Sequence, residues 1–165
     1  MRVIVYYFAM SKCLVTGSFD PITLGHEDIV EKAIRVFDEV AVAILVNPER
    51  HPLFSLAERE EMILASFGDR VEVFSYTGLA VDAAKRVGAT VLVRGIRGEG
   101  DLAYEKEMAS FNREHGLETV FFFADDRLVS VSATKAREAL LKGDAKEYIG
   151  KGALALAEKY MEGRK

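Results

Sequence analysis

Short, continuously apolar runs alternate with amphipathic segments along most of the chain, and this alternation limits the possible folds more than any other feature. A strand that consists almost entirely of valine, leucine and isoleucine must be covered on both faces, which is typical of parallel strands in α/β proteins. Segments with an apolar stripe at helical spacing can provide that cover. The 165 residues are 50% hydrophobic and 29% charged, so the chain can bury a sizeable core.

Five apolar runs are predicted to be strands, with helices between them. The strands are expected at residues 12–16, 40–46, 71–74, 90–93 and 119–123. This order predicts a Rossmann-like, doubly wound parallel sheet with right-handed crossovers. We expect one α/β domain over residues 11–165, ending in a helical segment. Ligands of such sheets bind beyond the carboxyl ends of the strands, near a topological switch point, so the loops that follow strands are where a site is expected.

Local patterns predict the helices and their ends. The first helix, residues 27–37, has an apolar stripe and a stripe that is expected to face water: Ile29, Ala33 and Phe37 form the first, and Glu27, Glu31 and Arg35 the second. Ser55 and Glu58 are spaced as a capping box at the start of the next helix. A further helix has the apolar stripe Leu79, Ala83 and Val87 and is expected to stop at Gly88.

The overall charge and the single cysteine exclude several classes of function. There are 22 lysines and arginines against 26 acidic residues, which gives a net charge of −4 and disfavours bulk binding to nucleic acid. Cys13 alone allows no intrachain disulfide and no cysteine-rich zinc cluster, which fits a reducing cytoplasm.

No apolar run approaches the ~20 residues of a membrane helix. Residues 1–10 lack a small-residue cleavage site, which favours an N-terminal extension over a secretory signal.

The loop after the first predicted strand combines several features of a phosphate site. Gly17 lets a ligand approach the backbone, and Ser18 offers a hydroxyl and an amide. His26 falls at the start of a helix, where free N–H groups and the helix dipole favour an anion. The alternative is ordinary turn chemistry with His26 at the surface. The position of the loop between a buried strand and a helix favours a ligand.

Three further segments after strands carry cations: residues 47–52, 93–97 and 131–137. In the last one, Ser132 or Thr134 would cap a helix and direct hydroxyls and amides toward a phosphate. The cations in and beside these segments are Arg50, Arg94, Arg97, Lys135 and Arg137. Each alone is explained as a solvated side chain. Together, in an acidic chain, they predict a polyanionic substrate that carries phosphate groups.

The commoner nucleotide and hydrolase motifs are missing from the sequence. There is no P-loop, and the glycines of residues 95–100 have the wrong spacing for the dinucleotide fingerprint. There is also no nucleophile elbow and no zinc-binding helix with two histidines.

The segments that carry these features closely resemble bacterial phosphopantetheine adenylyltransferases. The matching segments are residues 17–30, 47–50, 52–59, 93–97, 104–105 and 112–113, and the likeness extends from about residue 12 to about residue 161. That family belongs to the nucleotidyltransferases with a Thr/His-x-Gly-His signature, which is Thr23 to His26 here. The resemblance implies the nucleotidyltransferase fold and a step of coenzyme A biosynthesis. In that step ATP and 4′-phosphopantetheine give dephospho-coenzyme A and pyrophosphate, with Mg²⁺ bound mainly through the ATP phosphates.

The resemblance also assigns roles to residues. His26 and Arg50 are the expected catalytic residues: His26 at the α-phosphate of ATP, and Arg50, where the family has a lysine, at the phosphate of phosphopantetheine. Phosphopantetheine would be bound by Ser18, Arg50, Arg94 and the backbone around Ala80. ATP would be bound by Ser18, Phe19, His26, Gly95, Ile96, Arg97, Glu105, Leu128, Val129, Ser130, Val131, Ser132, Ala133 and Thr134. No residue is assigned as a metal ligand.

Two alternatives remain open from the sequence. One is another small nucleotidyltransferase, which would use CTP with a sugar- or glycerol-phosphate, or ATP with a nicotinamide nucleotide. The other is a non-catalytic nucleotide-binding or regulatory protein, against which the retained His26 argues. Residues 47–50 and 94–97 favour phosphopantetheine. The resemblance further implies a cytoplasmic homohexamer, with coenzyme A as a candidate inhibitor, and no nucleic-acid or membrane partner.

Overall fold

A computed structural model describes residues 10–164 and shows a five-stranded, fully parallel sheet in the order β3-β2-β1-β4-β5. The strands are β1 Lys12–Gly17, β2 Glu39–Leu45, β3 Glu72–Tyr76, β4 Val91–Ile96 and β5 Glu118–Phe123. This order confirms the predicted doubly wound α/β fold. The predicted N-terminal extension lies, apart from Met10, outside the described residues.

Six α-helices connect and follow these strands within residues 10–164. They are α1 Leu24–Val36, α2 Leu56–Phe67, α3 Ala80–Val87, α4 Glu99–Glu114, α5 Ala133–Lys142 and α6 Lys151–Glu162. The last two form the predicted helical C-terminal segment, and α6 packs closely on α2. A Cβ at Gly152 would lie 2.6 Å from the carbonyl oxygen of Ala65, so only glycine permits this approach. No helix within residues 10–164 is long and apolar enough to span a membrane.

The strand order places a topological switch point between β1 and β4. From β1 the chain adds β2 and then β3 on one side, and it then returns to add β4 and β5 on the other side. The connections that leave the carboxyl ends of β1 and β4 therefore run in opposite directions, which opens a crevice between them. The loop after Gly17 and the end of β4 border this crevice.

Alternate residues of the strands are buried on opposite faces of the sheet. One core cluster contains Cys13, Val15, Val42, Val93 and the buried faces of α1, α2, α5 and α6. The other contains Leu14, Ala41, Ala43, Leu92 and the buried face of α3. Because successive side chains of a strand point to opposite faces, this alternation explains why the strands are continuously apolar in sequence.

Three local predictions need correction. Arg94, Gly95 and Ile96 do not follow β4 but belong to it, because pairing with β5 continues to the register of Ile96 with Phe123. The polar Arg94 and the glycine interrupt the apolar pattern, so the strand was predicted to end too early.

The other two corrections concern helix faces. Glu27 does not face water freely, since its carboxylate lies against Gly150 and accepts a hydrogen bond from Ser66 Oγ at 2.7 Å. Leu79 is 51% exposed because it precedes α3 as the N-cap. The buried face of α3 is formed by Val81, Ala83 and Ala84 instead. The helix stops at Gly88, in the left-handed conformation, as predicted.

Candidate active site

Two adjoining cavities, of about 560 and 770 Å³, open at the carboxyl ends of β1 and β4. Both are lined by Gly17, Ser18, Arg50, Arg94 and Arg137. His26 and the segment after β5 complete the first cavity, and residues 45–48 border the second. The site therefore lies at the switch point, where the strand order predicts a ligand.

His26 is held at the start of α1 by a reciprocal cap with Thr23. The Thr23 side chain accepts from the His26 backbone N–H, while Nδ1 of the ring lies 3.1 Å from the Thr23 backbone nitrogen and 3.0 Å from its Oγ1. A backbone N–H can only donate, so Nδ1 must accept and cannot carry a proton of its own. The neutral ring therefore carries its proton on Nε2, which is left as a donor for a ligand.

The surroundings keep this imidazole neutral. Burial, followed by the positive charges of Arg97 and Arg94, lowers the pKa of His26 to about 4. The Phe19 ring contacts the imidazole edge to face, with ring centroids 5.0 Å apart, and limits its movement. At neutral pH His26 is therefore a fixed, uncharged N–H donor in a cavity that arginines make positive.

The loop after β1 has an unusual backbone conformation. Phe19 has a φ of 45°, in the left-handed region that bulky residues rarely adopt, and it is only 1% exposed. Its ring lies over Gly17, where a Cβ would be 3.2 Å from the ring atoms. Such conformations persist where surrounding contacts hold them, often at ligand sites.

Two cavity arginines are oriented by carboxylates of α4. Arg94 binds Glu105 through two contacts, Nε to Oε2 at 2.9 Å and Nη2 to Oε1 at 2.5 Å. Arg97 binds Asp101, with Nε 3.2 Å from Oδ2. Hydrogen bonding from Arg97 lowers the pKa of Asp101. Both guanidinium groups are therefore held in place without a ligand, and Glu105 acts on Arg94 in addition to the predicted contact with ATP.

Of the three remaining predicted cations, Arg137 and Arg50 line the cavities and Lys135 does not. Arg137 reaches the cavity and donates from Nη1 to the Asp20 carbonyl oxygen at 2.6 Å. Among residues 10–164, no carboxylate lies within ion-pair distance of Arg50, which lines both cavities. Lys135 lines neither, since its Nζ donates to the Ser130 carbonyl at 3.0 Å. Four of the five predicted cations thus converge on the site.

The segment after β5 supplies hydroxyls to the first cavity. Ser132 is the N-cap of α5, and its Oγ accepts from the Lys135 backbone N–H. Thr134 lies in the first turn, where its Oγ1 accepts from Arg137 Nη2 at 3.1 Å. Within this segment, the residues predicted to bind ATP that line the cavity are Leu128, Val131, Ser132, Ala133 and Thr134.

Four predicted residues line neither cavity: Ile96, which is buried in β4, Val129, Ser130, and Ala80 at the start of α3. Their predicted roles require a ligand that extends beyond the walls of these two cavities.

Several residues of the site were missed from the sequence. Thr23 could have been found, because the capping box places a threonine three residues before a partner side chain. Asp101 follows Arg97 at i+4, which is also a readable spacing. Asp20 and Arg59 lie in segments that resemble the family, but the sequence did not indicate their contacts, because their partners lie far away in the sequence. Asp20 accepts from the backbone N–H groups of Leu53 and Phe54 at 2.9 and 2.8 Å.

Comparisons with known proteins identify the family of the chain. Residues 14–139 match a family model described as cytidylyltransferase-like. A phosphopantetheine adenylyltransferase of Porphyromonas gingivalis is 42% identical over 143 residues, covering 84% of this chain and 94% of that protein. Its counterpart from Heliobacterium modesticaldum is 41% identical over 157 residues, covering 92% of this chain and 94% of that protein.

Solved structures with low identity share the fold. A nicotinic acid mononucleotide adenylyltransferase of Plasmodium falciparum has a TM-score of 0.68 at 17% identity, covering 92% of this chain and 96% of that one. A bifunctional NMN adenylyltransferase/ADP-ribose pyrophosphatase of Francisella tularensis has a TM-score of 0.72 at 17% identity, covering 93% of this chain and 50% of that one. At these identities the likeness shows the fold alone.

Proposed function

The chain belongs to the cytidylyltransferase-like family and, within it, to the phosphopantetheine adenylyltransferases, and we propose that it transfers the adenylyl group of ATP to 4′-phosphopantetheine. The products are dephospho-coenzyme A and pyrophosphate, so the reaction belongs to coenzyme A biosynthesis. The observation that supports this most strongly is the single N–H donor of His26. It is fixed by Thr23 at the switch point, in a cavity that is also lined by Arg50, Arg94, Arg97 and Arg137.

The reaction needs positioning and charge stabilisation more than a nucleophilic side chain. A phosphate oxygen of phosphopantetheine forms a bond to the α-phosphorus of ATP, and the bond from that phosphorus to the bridging oxygen of pyrophosphate breaks. Nε2–H of His26 donates to an α-phosphate oxygen, where negative charge grows in the transition state. Because the donor is already oriented and neutral, it needs no reorganisation during the step.

Different arginines bind the two substrates. Arg50 and Arg94 bind the phosphate of phosphopantetheine, and Glu105 keeps the Arg94 guanidinium in one orientation. Arg97, Ser132 and Thr134 face the phosphate chain of ATP. Arg50 stands where relatives have a lysine, and its planar guanidinium can bind two phosphate oxygens at once.

Mg²⁺ fits the site as an ion that arrives with ATP. Within residues 10–164 no group of three or more His, Cys, Asp or Glu is arranged to hold a metal. Mg²⁺ in nucleotide sites keeps several waters and binds chiefly to phosphates, so it does not require such a group. When bound, it neutralises part of the phosphate charge. We further propose that the protein works in the cytoplasm as a homo-oligomer, a hexamer by family resemblance, with coenzyme A as a candidate inhibitor.

Pyrophosphate release tests the proposed reaction directly. The purified protein is incubated with ATP or CTP and with 4′-phosphopantetheine, nicotinamide mononucleotide or glycerol 3-phosphate. We expect turnover only with ATP and 4′-phosphopantetheine, and dephospho-coenzyme A as the second product by mass spectrometry. Turnover with CTP only, or with another acceptor only, would overturn the assignment.

A further inference from the structure

Arg59 is a buried arginine that none of the proposed steps uses. It lies on α2 and is 5% exposed. Its Nη1 donates to the carbonyl oxygen of Ser18 at 2.9 Å, and its Nε donates to the Ser55 carbonyl at 3.3 Å. Burying a guanidinium group is costly unless its hydrogen bonds compensate. The contact with Ser18 therefore identifies the loop after β1 as what Arg59 stabilises.

The geometry of one peptide links this contact to the cavity. The Ser18–Phe19 peptide is trans, so its C=O and its N–H point in opposite directions. With the Ser18 carbonyl held by Arg59 on one side, the Phe19 N–H must point to the other side. Phe19 lines the first cavity together with His26.

The Phe19 amide N–H has no hydrogen-bond acceptor in the part of the chain that the structure describes. Among residues 10–164, neither a backbone nor a side-chain oxygen accepts a hydrogen bond from it, although Phe19 is only 1% exposed. Buried backbone N–H groups are almost always paired. An unpaired backbone N–H at the wall of an anion-binding cavity can donate a hydrogen bond to a ligand.

A second arginine binds the same loop, at the residue that follows Phe19. Arg137 Nη1 donates to the Asp20 carbonyl oxygen at 2.6 Å. The carbonyl oxygens of Ser18 and Asp20, the residues on either side of Phe19, are thus each bound to a guanidinium group. Because both carbonyl oxygens are bound to arginines, neither is free to repel a bound phosphate. The backbone around Phe19 is thus fixed on both sides of that residue.

We propose that Arg59 is a positioning residue: by binding the Ser18 carbonyl it directs the Phe19 amide N–H toward a phosphate oxygen of the bound nucleotide. This inference rests on the proposed adenylyl transfer. Arg59 borders the second cavity, but in this role it acts through the Ser18–Phe19 peptide and not through a contact of its own with the nucleotide phosphate. Its loss lets the peptide rotate, so that the amide no longer meets the phosphate in the geometry the reaction needs.

Two substitutions separate positioning from simple stabilisation. Arg59→Met retains the apolar stem and loses both donors, whereas Arg59→Lys retains one donor that can reach the Ser18 carbonyl. Because small displacements of reacting groups cost roughly 100-fold in rate, we expect kcat of Arg59→Met to fall by about that factor. Arg59→Lys should recover part of the loss. Arg70→Met, at an exposed arginine paired with Glu31, is the matched control and should retain kcat within about twofold.

A second measurement follows the Phe19 amide directly by NMR. Protein labelled with ¹⁵N-phenylalanine is titrated with a non-hydrolysable ATP analogue, and Phe19→Leu assigns the Phe19 signal among the 10 phenylalanines. We expect the analogue to shift the Phe19 amide in the wild type and in Arg70→Met, and to shift it less in Arg59→Lys. If Arg59→Met does not fold, Arg59→Lys provides both measurements.

The outcomes distinguish this inference from the proposed function. Wild-type kcat and an undiminished Phe19 shift in the folded Arg59 variants would overturn the role of Arg59 while leaving adenylyl transfer intact. A reduced thermal stability with unchanged kcat would likewise reduce Arg59 to a structural residue. A wild-type protein without turnover would overturn the proposed function, whereas the nucleotide titration would still decide whether Arg59 orients the Phe19 amide.

Discussion

The backbone nitrogen of Thr23 lies 3.1 Å from Nδ1 of His26, and this contact decides which ring nitrogen carries the proton. An amide N–H cannot accept, so a second proton on Nδ1 would break the cap and place a charge near Arg94 and Arg97. The contact therefore links the capping of α1 to the state of the catalytic side chain.

The first prediction concerns the titration of His26. Its pKa is lowered to about 4, so the ring should stay neutral, with the proton on Nε2, down to about pH 5. ¹⁵N NMR of the imidazole nitrogens checks this, and a His26→Ala spectrum assigns the signal among the three histidines. The folded-state pKa is below the usual value of 6.5, so the folded protein loses stability as pH falls from about 6.5 to 4. A midpoint near 6.5 for His26 would contradict the geometry.

The second prediction concerns the approach of α1 to β4. A Cβ at Gly95 would lie 2.9 Å from Cγ1 of Ile29, so Gly95→Ala must push α1 away from the strand that carries Arg94. We expect a loss of about 1–3 kcal/mol in the free energy of unfolding, measured in urea, and a lower kcat. Gly100→Ala is the control, because its Cβ would meet nothing within 4 Å and alanine is favoured in a helix. Gly95→Ala with wild-type stability would contradict this packing.

The third prediction concerns Glu27, whose carboxylate is half-buried beside Gly150. Burial raises the pKa of Glu27 above its usual value of 4.5, so its ionisation destabilises the fold as pH rises past that value. Glu27→Gln retains an acceptor for Ser66, and we expect it to be more stable than the wild type at pH 7. The difference in the free energy of unfolding should shrink toward pH 4. Glu107→Gln, at an exposed site on α4, should show no such pH dependence, and a Glu27→Gln variant that is less stable at pH 7 would refute the prediction.

The fourth prediction concerns Arg50, which lines both cavities and has no carboxylate partner within residues 10–164. Arg50→Ala removes a charge-assisted contact worth about 1.5–3 kcal/mol, so the KM for 4′-phosphopantetheine should rise ~10- to 100-fold as kcat falls. The KM for ATP should change much less. Arg35→Ala, at an exposed arginine of α1, should leave all three constants unchanged. An ATP-specific effect of Arg50→Ala would place this side chain at the other substrate.

Features with a short-range signal were predictable from the sequence. The sheet, the helix stops and the caps at Ser55 and Ser132 follow from apolar runs, glycines and hydroxyls at fixed spacing. His26 was predicted at the start of a helix because it ends the loop that leads from the first buried strand into the next amphipathic segment. Each of these features is signalled within a short stretch of sequence, although the strand pairing itself joins distant segments such as those of Cys13 and Val91.

Features that depend on distant partners could not be predicted. Arg59 lies in a charged run of α2 and would be expected to face water, yet it binds a carbonyl 41 residues away. Glu27 follows the spacing of a solvated face, but a helix from the end of the chain covers it. The end of β4 was misplaced for the same reason, because β5 extends the pairing past the point where the apolar pattern ends.

The central claim is that His26 stabilises the transition state of adenylyl transfer as a fixed, neutral donor. The most direct measurement is the steady-state kinetics of His26→Ala with both substrates varied. A preorganised donor of this kind is worth ~10²–10³ in kcat, so we predict a fall of that size with much smaller changes in either KM. The α1 helix should survive, since its buried residues Ile29, Val30 and Ala33 are unchanged. An alanine variant with wild-type kcat would remove His26 from the mechanism.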